Sequence, residues 1–371
     1  MIFWIGLAIF VLVSVFAERL VKQKYKKLFP VFLMCVLTFL GLFRYEIGAD
    51  YDWYIVLFNT VKMGDVYPEP SFLFLVEILH YFKFSFQMLF IAYELPIMLL
   101  LWSAIRYYTK DTETQILIVA LFFCLQYSFS LNGIRQGLSL VLIFWGYRYC
   151  LERKIWKYLI VIGVATFIHY SAIVAILLYY TPKAVYSWYK YAIIFLITFI
   201  VFKLNVVLPF LSVALGVFSL DSRYLSYFSE ADSIKMTGLF LFFQFGLFSI
   251  SRLAILELKP ELKSLINIWF LGILGHFLFS FSAPITRLIK YFEYFIILVM
   301  PFTIQYLNST LLLQIKDKIY NFKWGYILLL FYIFSFLNVI SGIPHDYFTS
   351  WRNPYPSSMN IEYDFNFKIF E

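Results

Sequence analysis

The chain has 371 residues, of which 62% are hydrophobic and only 14% charged, and its mean hydropathy is +0.80. A soluble domain carries about 25% charged residues, so a water-soluble globule is excluded, and the lack of strand-like alternation excludes an outer-membrane barrel. The formal charge of +8 gathers in short segments between apolar runs, the pattern of cytoplasmic membrane loops rather than of a nucleic-acid-binding surface.

Runs approaching the ~20 apolar residues that cross a bilayer recur along the chain. They predict spans at 2–18, 28–43, 86–106, 114–131, 134–150, 158–180, 189–204, 206–219, 238–256, 264–282, 287–307 and 324–341. The expected fold is an all-α polytopic membrane protein with about 10–12 transmembrane helices, residues 1–371 forming one integral membrane domain. The first span has no small-residue cleavage site after it and reads as an uncleaved anchor. The basic loops are "RLVKQKYKK" (19–27), "ERKIWK" (152–157) and "KDKIYNFK" (316–323). Placing them inside puts the N-terminus, a loop at 44–85, Asn132–Gly133, a loop at 220–237, residues 283–286 and a tail at 342–371 on the outer side. That parity requires two short spans within 181–219. The segment "EPSFLFLVEILHYF" (69–82), carrying Glu77 and His80, is too short to span and reads as an outer interfacial helix. Cys35, Cys124 and Cys150 lie in apolar runs, with neither a disulfide framework nor metal-ligand spacing. No internal repeat is visible, which disfavours a transporter built from two halves.

The polar residues that hydrocarbon should reject fall mostly on the outer side. "FRYEIGADYDWY" (43–54) supplies Arg44, Glu46, Asp50 and Asp52 as the second span ends. Alone, it reads equally as a solvated loop with an aromatic belt. Arg135 opens the fifth span inside "GIRQG", where Gly133 and Gly137 have the spacing of close helix contact. One arginine there can simply snorkel to headgroups. Asn132, Arg135 and Gln136, however, share a first helical turn whose free backbone N–H groups favour an anion, and a guanidinium grips phosphate bidentately. His169 in "ATFIHYSAI" sits well inside the sixth span, either as a hydrogen-bonded packing residue or as an acid–base group. "SAPITRLIKYFEYF" (282–295) adds Arg287, Lys290 and Glu293 at helical spacing. Arg44, Arg135 and Arg287 at outer helix ends, joined by Arg223 on the 220–237 loop, would repel one another without an acidic ligand. In the tail, His345, Asp346, Trp351 and Arg352 suit a sugar.

Four stretches, "FRYEIGADYDWYIVLFN", "SLNGIRQGLSLVLIFWGYRYCLERKIWKY", "ATFIHYSAIVAILLYY" and "RLIKYFEYFIILVMP", make the chain resemble the EpsG/Wzy family of bacterial polysaccharide polymerases. The N-x-x-R-Q pattern followed some thirty residues later by H-Y-S-A is the most specific part, whereas 181–240 and the tail match only in character. The resemblance implies a GT-C-like glycosyltransferase of the bacterial inner membrane, working at the periplasmic face without a cofactor. Its implied partners are an undecaprenyl-diphosphate-linked oligosaccharide, membrane lipids and a chain-length regulator protein, with no nucleic acid. The implied reaction moves the growing glycan from its lipid diphosphate to the non-reducing end of the next lipid-linked unit. Arg44, Asn132, Arg135, Gln136, Arg223, Arg287 and Tyr291 are then the expected substrate-binding residues. Asp50, Asp52, Glu46 and His169 are the candidates for the base, with no choice among them. A flippase or exporter would show charges through the membrane depth, an O-acyltransferase reactive groups on the inner side, and an O-antigen ligase the same donor with another acceptor.

Overall fold

In a computed structural model, the described residues are 2–45, 47–48, 50–60, 69–204, 238–279, 283–310, 313–315, 318–320, 323 and 325–342. The predicted span 206–219, the loop 220–237 and most of the tail lie outside them. Helices are α1 (Ile2–Leu20), α2 (Leu28–Leu42), α3 (Tyr51–Thr60), α4 (Pro70–Tyr81), α5 (Gln87–Tyr108), α6 (Thr112–Phe122) and α7 (Ser128–Asn132). They continue as α8 (Ile134–Gly146), α9 (Ile155–Ile168), α10 (Ile176–Tyr180), α11 (Trp188–Lys203) and α12 (Gly238–Leu258). Last come α13 (Ser264–Phe279), α14 (Ala283–Glu293), α15 (Ile296–Thr310) and α16 (Gly325–Gly342). The described strands are two three-residue pieces, Leu313–Ile315 and Lys318–Tyr320, paired antiparallel.

The fold is all-α and polytopic, as expected, and its helices carry a membrane signature. On α1, Trp4, Leu7, Ala8, Val11 and Val15 are buried while Ile5, Ile9, Val13, Phe16 and Leu20 are exposed. Both sets recur every three or four residues, so one helix has an apolar face for protein and another for lipid. On α9, Trp156, Ile160, Val164 and Phe167 form the same kind of outward stripe. Among the described residues, four helices are long and apolar enough to cross a bilayer: Phe3–Leu20, Gln23–Leu42, Gln87–Tyr108 and Thr112–Asn132. A fifth candidate is the pair Ile285–Glu293 and Ile296–Thr310, bent by 45° where one continuous span at 287–307 was expected. The expected span 158–180 is likewise interrupted, α9 ending at Ile168 and a 3₁₀ segment running from Tyr170 to Ala175.

The chain divides into two compact units, residues 1–173 with 307–371, and residues 174–306. In the first unit, α6 and α7 run through the centre, and every side chain from Ile116 to Phe123 is fully buried. One turn of π-helix at Phe123–Tyr127 joins them, and the Tyr127 hydroxyl donates to the Leu37 carbonyl at 2.7 Å. α8 folds back on α7 because Gly137 lets the two backbones meet; a Cβ there would lie 3.0 Å from Ser130 Cα. Gly146 does the same for α9, where an added Cβ would lie 2.5 Å from Val161 Cγ1.

Apart from Glu94, buried within α5, the described charged groups of this unit gather toward its two ends. At one end Arg19 pairs with Glu113, whose carboxylate also accepts from Tyr326 at 2.9 Å, and Glu152 accepts from Tyr107 at 3.0 Å. These contacts tie the end of α1 to the start of α6, and the end of α5 to the segment between α8 and α9. The other end holds residues 44–52, Glu69 and the α7–α8 turn.

In the second unit, Tyr191 donates to Asn267 at 2.5 Å, and Asn267 donates to the carbonyls of Pro182 and Ala184. Gly275 lies against Ile289 and Gly272 against Glu293, drawing α14 onto α13. His276 Nδ1 then stands 2.9 Å from Glu293 Oε1.

Candidate functional site

The loop after α2 is stitched to the end of α7. Arg44 is 1% exposed; its Nη1 donates to the Leu131 carbonyl, and its guanidinium lies 4.4 Å above the Phe90 ring. The nearby carboxylate is Glu94 on α5, also buried, neither oxygen of which makes a hydrogen bond among the described residues. Gln87 Nε2 donates to the carbonyls of Leu42 and Arg44 at 2.9 and 3.3 Å. Gly48 has φ +105°, a left-handed conformation, and a Cβ there would also press on the Leu131 carbonyl at 3.2 Å. Next to it the Asp50 backbone N–H donates to Asn132 Oδ1 at 2.8 Å.

Beyond this brace, α8 begins at Ile134, just after Gly133, and Arg135 is its second residue. The Arg135 guanidinium donates to Glu69 Oε2 and faces the rings of Phe72 and Tyr54 at 5.3 and 5.7 Å. Glu69 precedes Pro70 at the start of α4, where proline's fixed φ and missing N–H suit a first helical position. Its carbonyl accepts from Phe72 N–H at 2.9 Å, whereas its carboxylate caps nothing and turns away from the helix. The second carboxylate oxygen, Oε1, meets Nδ1 of His169.

His169 is not mid-helix, as the apolar run around it suggested. It ends α9 in an extended conformation, φ −153° and ψ 117°; its N–H still bonds Ala165, and its carbonyl receives Ala172 N–H at 2.9 Å. The break turns the imidazole out of the helical ladder and onto Glu69. One carboxylate thus joins Arg135, 66 residues away in sequence, to His169, 100 residues away.

The electrostatics follow from that geometry. Burial by itself would push the Glu69 carboxyl up, but the hydrogen bond with His169 and the charge of Arg135 outweigh it and hold the group below the ordinary glutamate value. An ionised carboxylate accepts only, so Nδ1 of His169 is the nitrogen that carries a proton in this contact, and in the neutral form of the ring Nε2 is the lone pair. Nε2 makes no hydrogen bond among the described residues. The side chains of Arg135 and His169 are 19% and 23% exposed, against 7% for Glu69. The arrangement therefore offers an anion ligand and a proton acceptor at one accessible place, with their common carboxylate behind.

The structure brings only some of the expected residues together. Arg135, Asn132 and His169 belong to this cluster or its brace. Arg44, expected as an anion ligand, is instead enclosed and supports the loop. Asp50 and Asp52 are half-buried at the start of α3, and Gln136 is buried, its carbonyl accepting from Ser139 at 2.9 Å. Arg287 is exposed and Tyr291 buried on α14, in the second unit, with Lys290 and Glu293. Glu46, Arg223, His345, Asp346, Trp351 and Arg352 lie outside the described residues. Among the described residues no group of three His, Cys, Asp or Glu side chains could hold a metal ion.

Sequence reasoning passed over Glu69 and Glu94. The available signal for Glu69 was a carboxylate placed directly before a helix-opening proline. For Glu94 it was a lone acid inside an apolar run.

The sequence model of the EpsG family matches residues 26–351, which include Glu69, Arg135 and His169. The chain belongs to the EpsG family. EpsG membership makes it a membrane protein of the polysaccharide-polymerase type. Among curated proteins and solved structures, none matches this EpsG chain.

Proposed function

We propose that this EpsG protein is an inner-membrane glycosyltransferase of GT-C type. It transfers a growing glycan from undecaprenyl diphosphate to the non-reducing end of a lipid-linked repeat unit at the periplasmic face. The observation that carries the reading is the Arg135–Glu69–His169 arrangement, which sets a phosphate-gripping cation beside an imidazole with Nε2 available. Segregation of the basic segments to the opposite end of the same unit supports the assignment of sides.

In the proposed step, the acceptor hydroxyl oxygen attacks the anomeric carbon of the donor glycan. The bond from that carbon to the phosphate oxygen breaks, and its electron pair leaves with the lipid diphosphate. The hydroxyl proton passes to His169 Nε2, while Arg135 balances the charge that develops on the leaving phosphate. Asn132 holds the Asp50 backbone against the α7–α8 turn, so the mouth of the site keeps its shape.

The test is complementation of a strain lacking its own repeat-unit polymerase, comparing wild type with Arg135→Ala at equal membrane abundance. The wild type restores a glycan ladder, and the variant lowers polymerisation by roughly 10²–10³, the loss typical of removing one donor to a developing anion. A full ladder from the variant, or none from the wild type, refutes the reading.

A further inference from the structure

Arg135 carries an internal anion. If the guanidinium grips an external phosphate through a pair of donors that includes Nη1, the contact of Nη1 with Glu69 Oε2 must give way. Glu69 has nowhere to retreat. It is 6% exposed, anchored at the start of α4 by its own carbonyl, and held through Oε1 by His169. The aromatic rings of Phe72 and Tyr54 beside Arg135 further restrict where the guanidinium can swing.

We propose that Glu69 is the resting occupant of the anion site and the positioning residue of His169, so that donor binding exchanges phosphate for carboxylate on Arg135. The exchange leaves Glu69 with His169 as its remaining strong partner. The carboxylate charge, no longer shared with a guanidinium, then acts wholly on the Nδ1–H bond and makes Nε2 a stronger proton acceptor. Transfer chemistry is thereby switched on by the presence of the lipid diphosphate. In its absence the imidazole is held less active. This inference rests on the phosphate-binding role proposed for Arg135. Among the described residues, the charged and titratable groups facing Glu69 are Arg135 from α8, His169 from the end of α9 and Tyr93 from α5, with Tyr54 from α3 beside Arg135.

The consequence is counter-intuitive for a residue that supports an arginine. Replacing Glu69 with glutamine should tighten anion binding while slowing transfer, because the variant removes a competitor from Arg135 and an orienting charge from His169. The test uses the full chain in lipid nanodiscs, with inorganic pyrophosphate as the probe. Wild type, Glu69→Gln and Arg135→Gln are compared by equilibrium binding. Glu69→Gln should bind roughly three- to tenfold more tightly than wild type, the scale of a part-buried ion pair that no longer has to break, and Arg135→Gln should bind least. Weaker or unchanged pyrophosphate binding by Glu69→Gln overturns the proposal, since Glu69 would then merely hold Arg135 in place.

A second measurement does not depend on the folding of that variant. In wild-type protein with ¹⁵N-labelled histidine, pyrophosphate should move the Nδ1–H proton resonance of His169 downfield, and it should not do so in Arg135→Gln. Absence of pyrophosphate binding, or binding that leaves this resonance unmoved, overturns the exchange. The two levels separate cleanly. A protein that shows the exchange but builds no glycan ladder retains this inference and loses the polymerase reading, whereas a ladder without the exchange does the reverse.

Discussion

Glu69 decides the chemistry of the cluster because it is a single carboxylate with two different partners. Its pKa is held down in the folded protein, so its contribution to stability is complete above about pH 4.5 and is lost as pH falls through the depressed value. Thermal melts should therefore show a constant gap between wild type and Glu69→Gln at neutral and mildly acidic pH, closing only below that point. A gap that closes between pH 6 and 8 would mean that another group controls the effect. His169 is separable from this contribution. His169→Gln keeps a side chain able to donate to Glu69 but removes the basic nitrogen. Transfer measured with purified lipid-linked units should fall by roughly 10²–10⁴, with pyrophosphate affinity within a factor of two of wild type. Loss of both together would return His169 to a packing role.

At the scale of elements, the site depends on how closely α8 approaches its neighbours. Arg135 lies in the first turn of α8 and His169 follows the last residue of α9, and the two helices touch where Gly146, the last residue of α8, meets Val161, midway along α9. Gly146→Ala places a methyl 2.5 Å from Val161 Cγ1, so the helices must separate or a rotamer must change. The expected cost is about 1–3 kcal/mol, read as a lower melting temperature, and Val161→Ala in the same chain should recover most of it. A double variant no more stable than the single one would place the strain elsewhere. Gly41 has a comparable position on α2, where a Cβ would lie 2.6 Å from Glu94 Cγ, beside the buried Arg44. Small residues here set distances between charged groups, a role that composition does not reveal.

At the scale of the whole molecule, the first unit is polarised from end to end. Cysteines introduced at Asp50 and at Glu152, one at a time in a chain lacking its own three, should react with a membrane-impermeant maleimide from opposite sides. Intact cells should label the first and only inverted vesicles the second. Labelling of both from one side would refute the expected placement of residues 44–85 and 152–157 on opposite sides of the membrane.

How much of this was legible in the sequence depends on the range of the interactions. The all-α membrane fold and the clustering of basic loops follow from hydropathy and charge, which each residue carries with it. Arg135 and His169 stood out because a polar group in an apolar run costs energy wherever the run folds. The break at His169 did not stand out, because Ile168 and Tyr170 continue the apolar composition on both sides, and the contact with Glu69 that accompanies the extended backbone there is 100 residues away in sequence. Arg44 shared the character of Arg135 in sequence, yet the Leu131 carbonyl and the Phe90 ring enclose one while the other stays open.

The sequence by itself determined the solvent of the protein, the class of its fold and two members of its candidate site, because burial in lipid is a property of composition and periodicity. Only the tertiary structure chose Glu69 as the link between them and set Arg44 apart as a brace. Those choices rest on hydrogen bonds across 66 to 100 residues, and no local pattern encodes which distant carboxylate a guanidinium or an imidazole will meet.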